Sequence, residues 1–129
     1  MRAVDTNVIV RLLAKDHPEQ YQRALALFEG GGVWIPLTVV LETEWVLRSG
    51  YRSAPERIAA LLRSLMGLPG IEVENTDAVI QALDWFEQGM DFADALHLAA
   101  ARHCDGIATF DRDFIRTAAR LGIAGVRSP

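Results

Sequence analysis

Ala3-Val4-Asp5-Thr6-Asn7-Val8-Ile9-Val10-Arg11-Leu12-Leu13 opens the chain with a change of period. Ala3-Val4 is a short apolar run that ends at an acid. After it, Val8, Ile9, Leu12 and Leu13 recur at helical spacing. This reads as a strand, a carboxylate at its end, and then a helix. The pattern returns along the chain. Val33-Trp34-Ile35 is a strand stopped by Pro36, followed by a helix from about Leu37 to Arg48. Ile71-Glu72-Val73 is a strand, and Thr76 or Asp77 caps a helix reaching about Glu87. Ile107-Ala108-Thr109 is a strand, and Asp111 opens a helix that Gly122 closes. Helices that follow other helices start at Pro18 and Pro55, residues suited to a first turn, and at Phe92, where Asp91 serves as the cap of a helix running to about His103. Alternating strands and helices predict an α/β sandwich around a mainly parallel sheet.

With 129 residues, half of them apolar, the chain is sized for one domain over residues 1–129. Neither Gly30-Gly31-Gly32 nor Gly67-Leu68-Pro69-Gly70 separates pieces large enough for their own cores. No apolar run approaches a membrane span, and Asp5 interrupts the place where a signal peptide would be apolar. A single cysteine, Cys104, excludes an internal disulfide and a multi-thiolate zinc site, so a reduced, cytoplasmic protein is expected. Cys104 itself reads as a small buried hydrophobe, and Trp34, Trp45 and Trp85 read as core. The net charge of −4 argues against coating nucleic acid by bulk charge.

The chemistry lies in the acids. In α/β sheets ligands bind beyond the carboxyl ends of strands. Asp5 and Asp111 fall there, and the reading expects neighbouring strand ends. Either acid alone is explained as a helix cap. Two held close need a cation or a proton to offset their repulsion. Asp94 follows Asp91 within one helical turn, on the side opposite Phe92, Ala95, Leu96 and Ala99. Glu42 and Glu44 sit in a segment that is apolar nearly all round, and spacing does not separate them. Either is an ion-pair partner for Arg11 or Arg48, or a metal ligand. Lys15 is the only lysine, which removes receiver domains and aspartyl phosphotransferases that need a downstream lysine. The absence of Gly-Lys-Ser/Thr removes a P-loop.

These stretches together resemble a known family. Asp5-Thr6-Asn7 after the first strand, Val40-Leu41-Glu42, Asp91-Phe92-Ala93-Asp94-Ala95-Leu96-His97-Leu98-Ala99 and Thr109-Phe110-Asp111-Arg112-Asp113-Phe114 resemble, in order, the motifs of PIN-domain nucleases. The nearest subgroup is the VapC-like toxins of toxin–antitoxin pairs. The resemblance implies a three-layer α/β/α sandwich with a parallel sheet. It implies a Mg²⁺-dependent endoribonuclease, with Mn²⁺ as a substitute. It implies a homodimer silenced by a small antitoxin protein, with RNA as substrate. Asp5, Glu42, Asp94 and Asp111 are then the catalytic, metal-holding acids. Thr6, Asn7 and Thr109 orient them, and Asp113 assists or replaces Asp111. The alternatives are a binding or scaffold module that retains the acids, and a nuclease directed at DNA.

Overall fold

The computed structural model describes all of residues 1–129. The chain divides into two compact units, Met1–Thr76 and Asp77–Pro129. The first unit holds β1 (Arg2–Ala3), α1 (Thr6–Ala14), α2 (Pro18–Glu29), β2 (Val33–Ile35), α3 (Leu37–Ser49), α4 (Pro55–Met66) and β3 (Ile71–Val73). Its sheet has the order β1-β2-β3, parallel throughout, with Ala3 opposite Trp34 and Ile35 opposite Val73. Central β2 is the most deeply buried strand, with Val33 and Ile35 fully covered. Parallel neighbours require helical crossovers, and here each crossover is a helix pair. One device closes the edge where the strands begin. A Cβ on Gly70 would lie 2.7 Å from Gly31 Cα, so two glycine turns touch there. The acids sit at the other end, where the strands finish.

The loops of this unit are also tied. His17 caps α2 by accepting the Gln20 N–H at 3.2 Å. Tyr51, beyond α3, donates its hydroxyl to Asp16 at 2.7 Å, while Arg11 reaches Asp16 at 3.4 Å. The Tyr51 hydrogen bond holds the Asp16 carboxyl below its ordinary value, and the same contact raises the Tyr51 phenol. A carboxylate depressed in the folded state adds stability above its unfolded pKa and loses it as pH falls through the folded one. In Tyr51→Phe, the Asp16 titration followed by carboxyl ¹³C NMR is expected to move up toward the ordinary value. An unmoved titration would show that the phenol does not set it.

The second unit begins within α5 (Thr76–Glu87) and continues through α6 (Phe92–Ala100), β4 (Ile107–Ala108), α7 (Arg112–Arg120) and β5 (Val126–Arg127). β4 and β5 pair in parallel as a separate two-stranded sheet. Ala78, Val79, Ala82, Leu83 and Phe86 line the buried face of α5, and Phe86 meets Phe92 edge-on at 5.4 Å. No helix in either unit is long and apolar enough to cross a membrane.

Parallel pairing holds in both sheets, as the alternation of elements predicts. Three expectations change. β1 and β4 belong to two separate hydrogen-bonded sheets, of three and two strands, rather than to one. α6 stops at Ala100 rather than His103: the Ala101 N–H makes the last helical bond, to His97 O, and the Cys104 N–H then reaches back only three residues, to Ala101 O, in a turn. Trp45 (56% exposed) and Cys104 lie on the surface instead of in the core. Helix α3 directs Val40, Thr43, Glu44 and Leu47 inward, which leaves Trp45 outward.

Candidate acidic site

In the first unit, β1 delivers Asp5 to the start of α1. There it caps the helix, its Oδ1 accepting the Asn7 N–H at 3.1 Å. The capping explanation is therefore true of Asp5, yet Oδ2 remains outside that bond. Thr6, buried at the first position of α1, donates its hydroxyl to Glu42 Oε1 on α3, a short contact. Helix α1 packs on α3, and this packing separates the two glutamates. Glu44 is the buried one, 2% exposed, and its carboxylate takes Arg48 Nε at 2.7 Å and Nη2 at 3.5 Å. Arg48 is half exposed, but Glu44 is buried, and its carboxylate depends on this partner to offset the cost of leaving water. Glu42 is exposed and linked to the residue after Asp5. The ion-pair reading thus belongs to Glu44, and Glu42 is the acid left open to a ligand.

One carboxylate at a strand end carries a structural task that spacing does not reveal. Glu74 follows β3, and its Oε1 accepts the Leu37 N–H at 2.9 Å. Pro36 offers α3 no side-chain cap, so Glu74 supplies one from 37 residues away.

In the second unit, four carboxylates converge. A pocket of about 390 Å³ is lined by Asp91, Asp94, Asp111 and Asp113, with Gly89, Met90, Phe114 and Thr117. Two helix starts place them. Asp91 caps α6 by accepting the Asp94 N–H at 3.1 Å. Asp111 caps α7 by accepting the Asp113 and Phe114 N–H groups at 2.9 and 3.2 Å through Oδ1. Thr109 Oγ1 accepts the Asp111 N–H at 3.0 Å, so it fixes the backbone of that acid rather than its carboxylate. Asp113 lines the pocket but is paired with Arg116 by a short contact. Asp91 is the residue sequence reasoning treated only as a cap; its spacing of three from Asp94 is the signal that both belong to one rim.

Asp94 carries the electrostatic strain of this group. Burial pushes its carboxyl up to about 6, and the charges of Asp91 and Asp111 add to the rise while His97 opposes it. A raised acid pKa means the folded state binds the proton more tightly than the unfolded chain. Stability therefore declines as pH climbs from the ordinary 3.8 to about 6, and the cost is complete above that window. In chelator, carboxyl NMR is expected to show Asp94 titrating near 6, and closer to 3.8 in Asp111→Asn. Equal titration in the two proteins would remove Asp111 from the group.

The donor set fits a hard cation. All the candidates are oxygen donors, and a like-charge group with one acid pushed toward neutrality is relieved by positive charge. Neither unit holds a group of three or more His, Cys, Asp or Glu side chains placed to bind one metal ion together. Magnesium does not need such a group, since it keeps several waters and takes one or two carboxylates.

The family model described as PIN domain matches residues 2–120. No curated protein and no solved structure matches the chain.

Proposed function

The chain belongs to the PIN domain family, and from that premise we propose that it is a Mg²⁺-dependent endoribonuclease, the VapC-like toxin of a toxin–antitoxin pair. The family is one of nucleases, generally metal-dependent and acting on nucleic acid, with a helix-rich α/β fold built on parallel strands. The finer reading adds RNA as substrate, Mg²⁺ or Mn²⁺ as the metal, a small antitoxin as partner, a homodimer, and the cytoplasm as location. It takes residues 1–129 as one PIN domain. The observation that carries it is the pocket where Asp94 and Asp111 meet with Asp91 and Asp113, one carboxyl already pushed up to about 6.

Asp5, Glu42, Asp94 and Asp111 are assigned as the acids that hold the cation. Such an ion supplies charge relief on phosphoryl oxygens and makes water more acidic. The residues do the rest. The Asp91 and Asp111 caps anchor the first turns of α6 and α7, so Asp94 and Asp111 face the pocket from fixed backbone. Thr6 orients Glu42 through its hydroxyl. With its carboxyl pushed up to about 6, Asp94 would hold a cation as the carboxylate and compete for it with a proton at lower pH. Cation affinity is therefore expected to weaken below about pH 6.

The test is cleavage of single-stranded RNA and of matched DNA by the purified chain, with Mg²⁺ and with EDTA. Magnesium-dependent internal cleavage of RNA is the expected result. Cleavage that persists in EDTA would sink the metal reading, cleavage of DNA alone would move the substrate class, and no cleavage of either would leave a binding module.

A further inference from the structure

We propose that the Phe110 ring is a stacking platform for a nucleobase of a single-stranded substrate. The inference deepens the nuclease reading and rests on it. Phe110 lies between β4 and α7, one residue before the helix cap Asp111. An apolar residue in that place ordinarily folds onto the fourth residue of the helix, here Ile115, as a hydrophobic staple. The ring does not do so. It is 84% exposed, more than Met1 at the chain terminus. The apolar demand of this turn is met instead by Phe114, which is 4% exposed. The ring pair of this unit is Phe86 with Phe92, and Phe110 takes no part in it.

A lone exposed apolar side chain needs no explanation by itself. What sets this one apart is the stiffness of its mounting and its neighbour. Before it, the Ile107 and Thr109 N–H groups bond to Gly125 and Arg127 carbonyls at 2.9 and 3.1 Å. After it, the Asp111 N–H is held by Thr109 Oγ1, and Asp111 holds the first turn of α7. The backbone on both sides is thus fixed, and the ring is displayed from a rigid loop with little ordering left to lose on binding. Asp111 lines the acidic pocket. A strand whose phosphate lies at that pocket brings a base to the adjoining ring. The occupant is a base rather than a protein side chain because the ring stands beside Asp111, Arg112 and Asp113. Apolar anchors of protein partners settle in desolvated pockets, whereas a base needs only one open aromatic face. Paired bases are already stacked, so the platform serves single strands.

The experiment measures binding of fluorescein-labelled single-stranded RNA and DNA by anisotropy with Ca²⁺ in place of Mg²⁺, and KM and kcat for RNA in Mg²⁺. Phe110→Ala is expected to weaken binding and raise KM by about 5- to 150-fold, with a smaller change in kcat. Phe110→Tyr is expected to match the wild type, and Phe110→Leu to behave like the alanine variant. An abasic site moved along the oligonucleotide is expected to weaken wild-type binding at one position and leave Phe110→Ala indifferent to it. Unchanged binding in Phe110→Ala, or wild-type behaviour in Phe110→Leu, would overturn stacking, as would a wild type that binds no single strand. If the wild type binds and the variants order as expected while nothing is cleaved, the nuclease reading fails and the platform stands.

Discussion

Asp94→Asn is expected to lower Mg²⁺-dependent cleavage at least about 100-fold while the protein melts higher in EDTA. The size of the loss follows from the residue's assignment. Groups that merely orient a ligand to a metal cost about 10- to 100-fold when removed, so a ligand itself costs no less. The gain in melting temperature follows from burial. At pH 7 the wild type holds a half-buried carboxylate against the charges of Asp91 and Asp111. An amide of the same shape carries no charge into that place. Solvent screening discounts the benefit to about 1 kcal/mol, or roughly 2–5 °C. At pH 4, where the wild-type carboxyl is already largely protonated, the two proteins are expected to melt together. The combination separates a functional acid from a structural one. A variant that loses both activity and stability at pH 7 would mean Asp94 holds the fold together, and one that keeps full activity would remove it from the chemistry.

Gly106→Ala is expected to be the most damaging small substitution in the second unit. A Cβ at this position would lie 2.2 Å from Gly125 O and 2.9 Å from its Cα and C, all backbone atoms that no rotamer can move. The strand pair β4–β5 must open to admit a methyl group, at a cost of about 3 kcal/mol, or on the order of 10 °C in melting temperature. Gly122→Ala is the control. Its φ of +74° penalises a side chain by about 1 kcal/mol, but nothing lies within 4 Å. The two glycines therefore test crowding against backbone strain. Gly106→Ala is also expected to cost activity out of proportion to unfolding, because Thr109 and Asp111 hang from β4. Equal, mild destabilisation by both substitutions would refute the crowding argument.

Much of this was legible in the residues alone. Helix starts at Pro18, Pro55, Asp91 and Asp111 are marked by local chemistry, which acts over a single turn. The family resemblance over the chain agrees with the match over residues 2–120. What escaped depends on contacts far apart in sequence. Glu42 and Glu44 have equivalent apolar neighbours along α3, and only the packing of α1 against it, with Thr6 facing Glu42, tells them apart. The division of strands between two sheets is likewise a matter of pairing, not of period. Glu74 as the cap of α3 and Trp45 as a surface residue follow from the same kind of tertiary choice. The separation of Asp94 from an ordinary first-turn acid is electrostatic, and it needs the neighbours of a folded helix start.

The exposed thiol of Cys104 has a practical consequence for anyone counting copies of this chain. It is the sole cysteine, so air oxidation has no internal outlet and joins two molecules. A covalent pair formed on the bench migrates in gel filtration like a genuine assembly. Sizing done with reductant, or on Cys104→Ser, distinguishes an artefact of storage from an association the polypeptide makes by itself.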